Sequence, residues 1–215
     1  DLFTKSMPNV PWAFVFRDSV EIMMSHFKNY QKGESLSATG PRPVCLRAYG
    51  SKYQHPMMQE LVHTRIPHLH NVSQLSKEEY CAAHLATLAQ SAVNEYQRLN
   101  PKKKGNQKVH TRKQWFFNYD QLPHVIWEDW LPKLHMGYIS KDIVGRMQNV
   151  ANVYSKNRLP PGDGGANAAN GAVEHWHEDS TMKQARAPAS VREAANIFLE
   201  PVFKSMMDIQ ALQQD

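Results

Sequence analysis

The stretch SKEEYCAAHLATLAQSAVNEYQRLN, residues 76–100, decides the fold. Ser76 stands three residues before Glu79, the spacing at which a capping Ser and a Glu exchange hydrogen bonds at the start of a helix. Apolar residues then recur every three or four positions, as on one helix face; they are Cys81, Leu85, Leu88, Ala92, Tyr96 and Leu99. Asn100 and Pro101 end the pattern. The stretch predicts an amphipathic helix of about six turns.

The same repeat predicts further helices at 11–31, 56–66, 124–131, 141–156 and 191–212. In the last of these, Ser190 and Glu193 form a second capping-box pattern, and Pro201 predicts a kink. The run VCLRAY, residues 44–49, is the one segment that reads as a short strand. The sequence therefore predicts a mainly α protein, a helical globular domain of about five to six helices with at most a minor strand element.

A Gly-, Pro- and Asn-rich segment, LPPGDGGANAANG, covers residues 159–171. This composition is typical of a linker or of a long loop. We expect a main helical domain at 1–158, carrying a basic loop at 98–113, and a C-terminal helical segment at 172–215 that packs on it. The sequence leaves open whether 159–171 separates two domains.

The chain has 215 residues, of which 41% are hydrophobic and 21% charged, and a net charge of +5. This composition is globular, and its basic balance favours polyanionic partners. The longest apolar runs fall well short of the 18 residues that span a bilayer, so no membrane association is predicted. The first residues show no signal-peptide pattern and no initiator Met, which indicates an excised or processed domain.

Two cysteines, Cys45 and Cys81, match no zinc-binding spacing and are too few for a disulfide framework. We therefore expect packed, reduced thiols and an intracellular protein, with the nucleus favoured.

The strongest functional signal is the stretch PKKKGNQKVHTRKQWFFNYD, residues 101–120. No acidic residue lies between Glu95 and Asp120. Lys and Arg side chains in this window would neutralise phosphates, and Trp115 or Tyr119 would stack on an exposed base. The predicted contacts are Arg98, Lys102, Lys103, Lys104, Lys108, His110, Arg112, Lys113, Trp115 and Tyr119. The alternatives are a solvated loop beside core aromatics, namely Phe116 and Phe117, and a localisation signal.

A second pattern, VEHWHEDS at residues 173–180, holds His175 and His177, whose rings would converge on a metal if the segment is a strand. It resembles the His–hydrophobic–His motif of rolling-circle replication nucleases and relaxases, and that resemblance implies Tyr154 as the nearest nucleophile. The alternative is a surface loop. No zinc finger, phosphate-binding loop or dinucleotide fingerprint is present, and we predict no cofactor.

Trp127 and Trp130, three residues apart, form a candidate partner interface, with core packing as the alternative. Taken together, the residues predict a non-catalytic nucleic-acid-binding protein, with DNA slightly favoured over RNA. A structural or assembly module, nucleocapsid-like, is the alternative; its Trp segment and C-terminal helix would contact a protein partner or a second copy. A metal-dependent enzyme at His175 and His177 is the third hypothesis.

Overall fold

A computed structural model describes residues 6, 10–27, 45, 47, 49, 55–69, 71–101, 114–134, 140–151 and 176–214. In chain order its elements are β1 (Trp12–Phe16), α1 (Ser19–Phe27), α2 (Pro56–Arg65), α3 (Lys77–Leu99), β2 (Gln114–Asn118), α4 (Leu131–Lys133), α5 (Lys141–Ala151), α6 (Trp176–Arg186), α7 (Ala189–Ala194) and α8 (Glu200–Gln214). Short 3₁₀ turns lie at Val72–Gln74 and Tyr119–Gln121, and π-helical turns at Ile126–Trp130 and Ala195–Leu199. Helices dominate the described residues, which confirms the mainly α fold class.

Helix α3 is the central element, and its start is capped as predicted. The backbone N–H of Glu79 donates to Ser76 Oγ at 3.2 Å, and the N–H of Ser76 donates to Glu79 Oε2 at 2.8 Å. The buried face differs from the predicted stripe, because Leu88 is 53% exposed. Small side chains take its place and allow neighbouring helices to approach closely; they are Ala82, Ala83, Ala86 and Ala89.

The predicted helix at 11–31 is wrong in its first half, where β1 precedes α1. The segment Trp12–Phe16 is rich in the aromatic and β-branched side chains that favour strands. Asp18 then starts α1, because its Oδ1 accepts the N–H groups of Val20 and Glu21 at 2.9 and 3.0 Å. The predicted apolar face of α1 is buried; its members are Val20, Met23, Met24 and Phe27.

The predicted strand at 44–49 is also wrong, since Cys45, Arg47 and Tyr49 are helical. The partner of β1 is β2, which runs parallel to it with Trp12 opposite Gln114 and Phe16 opposite Asn118. Parallel pairing needs a long crossover, and here about a hundred residues, which include α1, α2 and α3, separate the strands.

Phe116, at the centre of β2, is fully buried and organises the aromatic core. Its ring centroid lies 5.7 to 6.5 Å from four other rings, at the tilted and edge-on angles that aromatic pairs prefer; these belong to Trp12, Phe14, Phe16 and Tyr96. Alternation along the strands places the three β1 rings on the same face as Phe116.

Among the residues that the structure describes, the outer edge of β2 is closed by a side chain and not by a third strand. Gln213, on α8, accepts the backbone N–H of Phe116 through Oε1 at 3.0 Å and donates from Nε2 to the carbonyl of Gln114 at 2.9 Å. This carboxamide makes the two hydrogen bonds that a neighbouring strand would supply, and Gln213 is 6% exposed.

The C-terminal helical run, α7 to α8, supplies most of the remaining core. Its predicted apolar face is buried at Phe198, Val202, Met206 and Ile209, whereas Leu212 is 60% exposed. The predicted capping box at Ser190 is wrong, since the cap position is Pro188 and no side chain caps it. Upstream of Pro201, the chain adopts the π-helical turn at Ala195–Leu199, an arrangement that accommodates the hydrogen bond a proline cannot donate.

The chain separates into two compact units, one of residues 1–119 with 186–215 and the other of residues 120–185. The core described above belongs to the first unit. The predicted linker, 159–171, lies outside the described residues, so the predicted division at that segment stays a prediction. Among the residues that the structure places, we find no helix with both the length and the apolar character needed to cross a bilayer.

Changing Gln213 to Ala is expected to lower the free energy of unfolding by about 2–4 kcal/mol, because two buried backbone groups of β2 lose their partner. Urea unfolding followed by circular dichroism measures this. Asp208→Ala, an exposed change on the same helix, is the matched control and should alter the free energy by less than about 0.5 kcal/mol. Equal effects of the two changes would contradict the edge-closing role.

Candidate functional sites

The predicted phosphate-contacting segment begins at the end of α3. Arg98 donates from Nε to Glu95 Oε2 at 2.9 Å and from a terminal nitrogen to Glu95 Oε1 at 2.6 Å. The hydrogen bond to Glu95 raises the pKa of the Arg98 guanidinium, which stays charged. Because Glu95 already compensates this charge, Arg98 contributes less to a positive surface than the sequence predicts. The other predicted cations lie outside the described residues; they are Lys102, Lys103, Lys104, Lys108, Arg112 and Lys113, with His110.

The two ends of this segment are held together. Asn100 Nδ2, at the C-terminal end of α3, donates to Gln114 Oε1 at 3.3 Å and to the carbonyl of Tyr96 at 2.9 Å. Gln114 is the first residue of β2 and is 6% exposed. The residues that flank 101–113, Asn100 and Gln114, are therefore neighbours at the amino end of the strand pair.

The aromatic run that follows belongs to the core. Phe116 and Phe117 are buried, which agrees with their interpretation as core residues. Trp115 is 3% exposed, so its ring packs inside the protein in this structure. Tyr119 is half-buried, and the guanidinium carbon of Arg17 lies 4.5 Å from the centroid of its ring. One face of the Tyr119 ring is therefore occupied by Arg17, and a base would stack on the other face or displace this cation.

The carboxyl end of the strand pair holds a second polar cluster. Ligands of open parallel sheets usually bind outside the carboxyl ends of the strands. Here Arg17 forms an ion pair with Glu21, and the two side chains are only 13% and 5% exposed. Ser19 donates from Oγ to Glu200 Oε2 at 2.9 Å. The Asp18 carboxylate accepts hydrogen bonds from backbone N–H groups in the first turn of α1. Each of these three carboxylates accepts an ion pair or a hydrogen bond from within the protein, so the cluster links α1 to α8.

Arg17→Met and Glu21→Gln are expected to destabilise the protein non-additively, with a coupling free energy of about 1–3 kcal/mol in a double-mutant cycle. The reason is that each change leaves a largely buried charge with less compensation. Arg146 and Asp142 form an ion pair with the same sequence spacing, but their side chains are 71% and 78% exposed. That pair is the control, with an expected coupling below about 0.5 kcal/mol. Similar coupling in both pairs would contradict the account.

The two cysteines are not free thiols. Cys45 and Cys81 form a disulfide whose Cα atoms lie 5.0 Å apart, and both residues are fully buried. The prediction of reduced thiols is therefore wrong, and the intracellular prediction loses the observation on which it rested. Localisation itself stays a prediction. Nothing in the spacing of the cysteines signalled their proximity, because the contact forms between two helical residues 36 positions apart in the chain.

Two histidines accompany the disulfide. Nδ1 of His26, in the last turn of α1, lies 3.5 Å from Cys45 Sγ. Burial lowers the pKa of His26, and the nearby imidazole of His84 lowers it further. Burial also lowers the pKa of His84, with a smaller effect from His55. The lowered pKa favours the neutral form of both rings, in which one imidazole nitrogen has a lone pair available.

Reducing the disulfide is expected to lower the free energy of unfolding by about 2–4 kcal/mol, because the bond links residues 36 positions apart and restricts the unfolded chain. Urea unfolding with and without a phosphine reductant, both with chelator present, measures the effect. The double variant Cys45→Ala, Cys81→Ala should be insensitive to the reductant. An unchanged midpoint in the natural chain would show that the disulfide does not form.

The remaining predicted site residues are spread over the second unit. His177 lies in the first turn of α6, not in the strand or surface loop that was expected, while His175 and Tyr154 lie outside the described residues. Trp127 is 8% exposed and its ring contacts His124 edge-on, with centroids 5.4 Å apart. Trp130 is half-buried. Little of the Trp127 ring is therefore available to a partner.

The sequence singled out neither Arg17 nor the His26–cysteine cluster. Arg17 was not selected from the sequence, because the segment around it was predicted to be a helix. Cys45, Cys81 and His26 belong to no short motif. No protein-family model, no curated protein and no solved structure matches this chain.

Proposed function

We propose that this protein binds nucleic acid without catalysis, through the phosphate backbone, with residues 98–113 as the contact segment. The observation that carries the proposal is the combination of charge and anchoring. Six Lys and Arg residues and no acid lie between Asn100 and Gln114, two residues that hydrogen-bond to each other.

Anchoring matters because it limits how far these charges spread. A chain of 13 residues that returns to its starting point reaches at most about 23 Å from its ends. Six positive charges within that reach lie within about two to three Debye lengths at physiological salt. Such a density attracts a polyanion strongly and releases condensed counterions on contact.

Salt dependence tests the proposal. On duplex DNA, contacts by all six cations predict a slope of log K against log salt near −5.4, which is a loss of affinity of about 2,000-fold between 50 and 200 mM salt. On single strands the expected slope is shallower, about −0.7 per contact. Affinities for single-stranded DNA and RNA of equal length at one salt concentration rank DNA against RNA. Fluorescence anisotropy with labelled duplex DNA, single-stranded DNA and RNA gives these slopes.

Changing Lys102, Lys103, Lys104, Lys108, Arg112 and Lys113 to Ala is expected to abolish binding. A pair of four-residue variants with equal net charge separates a local site from general attraction. One changes Lys102, Lys103, Lys104 and Lys108; the other changes the exposed cations Arg65, Lys133, Lys141 and Lys204. The first should reduce the slope by about 3.6 and the second should leave it nearly unchanged. Equal losses, or affinity that survives the six-residue change, would contradict the proposal.

The interaction alternative rests on exposed apolar side chains of the C-terminal run. Met207 is 39% and Leu212 is 60% exposed on α8. It predicts a stable oligomer by light scattering, whereas the nucleic-acid proposal does not require one.

A further inference from the structure

One cluster of side chains outside the proposed binding segment has the composition of a metal site. His26, Cys45 and Cys81 each contribute one donor atom, and these three atoms all lie within 4.8 Å of one another. They come from three separate parts of the chain: the last turn of α1, the helical residue Cys45 and the second turn of α3. Both sulfur atoms belong to residues that are 0% exposed within the core.

His84 is a fourth candidate donor; it is not among the three atoms that lie within 4.8 Å of one another, so its ring would have to move towards them to bind the same ion. His84 follows Cys81 by three positions on α3, so the two side chains lie on the same helix face. Nε2 of His84 is buried and has no hydrogen-bond partner among the described residues. Buried polar atoms in native proteins almost always have a partner, so such an atom calls for an explanation.

We propose that the reduced form of this cluster binds one Zn²⁺ ion through Cys45 and Cys81 thiolates, His26 Nδ1 and His84 Nε2. In the oxidised form the two sulfur atoms bond to each other. A dithiol reductant transfers two electrons to the disulfide and itself becomes a disulfide, which leaves two thiols on the protein. Zn²⁺ then replaces the two thiol protons, which pass to solvent, and accepts one lone pair from each neutral imidazole.

The donor set identifies the class of ion. Two thiolates and two imidazoles around one centre are typical of a structural zinc site, with Zn–S near 2.3 Å and Zn–N near 2.0 to 2.1 Å. In a tetrahedron of those bond lengths, donor atoms are separated by about 3.3 to 3.8 Å. The three donors within 4.8 Å must therefore contract slightly, while the sulfur atoms move apart after reduction. Hard cations such as Mg²⁺ and Ca²⁺ prefer oxygen donors and do not suit this set.

The two states are alternative links between the same parts of the chain. The disulfide joins the segment at Cys45 to α3, and the zinc ion would join the same segment to α3 and also to α1. A reduced chain without metal has neither link. Zinc would thus preserve the core in a reducing environment, where the disulfide cannot persist.

Cobalt titration of the full chain tests the site, because Co²⁺ reports thiolate ligands by charge-transfer absorption and tetrahedral geometry by its visible d–d bands. After reduction with a phosphine and removal of metal, we expect one Co²⁺ per chain with both signals, displaced by one Zn²⁺. The oxidised chain is expected to show neither signal. A reduced chain that keeps its helical circular dichroism but takes up no stoichiometric Co²⁺ would overturn the proposal.

Histidine variants identify the ligands. His26→Asn and His84→Asn leave both cysteines in place and should each weaken Co²⁺ binding by more than about 100-fold, beyond the 10- to 100-fold loss typical of residues that only orient a ligand. His124→Asn, an exposed histidine outside the cluster, is the control and should bind normally. Normal binding by His26→Asn or by His84→Asn would overturn that residue's assignment as a ligand.

If reduction unfolds the chain, the same proposal makes a second prediction. Zn²⁺ added to the reduced chain should restore the helical circular dichroism at one equivalent, whereas the double variant Cys45→Ala, Cys81→Ala should not respond. Failure of Zn²⁺ to restore the natural chain would overturn the proposal.

Discussion

The side chain and backbone of Gln114 connect three parts of the fold: the end of α3, α8 and the strand pair. The side-chain oxygen accepts a hydrogen bond from Asn100, at the end of α3, and the backbone carbonyl accepts one from Gln213, on α8. Gln114 also begins β2, which pairs with β1. A two-stranded sheet is marginal alone, and its open edges expose backbone groups that need partners. Helix α8 supplies partners for two backbone groups of β2 through the Gln213 carboxamide, whereas Asn100, at the end of α3, bonds to the side chain of Gln114.

This arrangement explains why a highly charged segment is compatible with a compact core. Like charges within a short segment repel each other and favour an extended, solvated chain. Attachment at both ends, to α3 and to β2, confines that repulsion to residues 101–113. The aromatic residues that follow are buried in the core around Phe116. Their burial fixes the position of β2, the second attachment point of the segment. The charged segment and the aromatic core are therefore separate parts of the protein that share one attachment point, at Gln114.

Local signals in the sequence predicted most of the helices, but they missed the strand pair and the helical residues Cys45, Arg47 and Tyr49. The capping box at Ser76 and Glu79 depends on neighbouring residues only, and it forms as predicted. The strand β1 was missed because apolar spacing in α1 continues backwards into it, and its partner lies about a hundred residues away. The disulfide was missed for the same reason, since contact between Cys45 and Cys81 depends on how the helices pack. Leu88 shows a further limit: apolar spacing alone does not reveal that alanines form the packed face.

The two candidate sites also differ in how far the sequence predicts them. The basic segment is visible in the sequence because charge density is a property of composition. Its anchoring is not visible, since Asn100 and Gln114 are ordinary residues until the fold brings them within 3.3 Å. The cluster of His26, Cys45 and Cys81 depends wholly on tertiary packing, and no spacing rule would have found it.

Hydrogen–deuterium exchange on the full chain, with and without saturating duplex DNA at low salt, tests the central claim most directly. The account predicts that added protection is confined to peptides covering residues 98–113, while peptides from α1, α3 before residue 95, and α8 are unchanged. Protection that appears elsewhere and leaves 98–113 unaffected, or no protection at all, would contradict it.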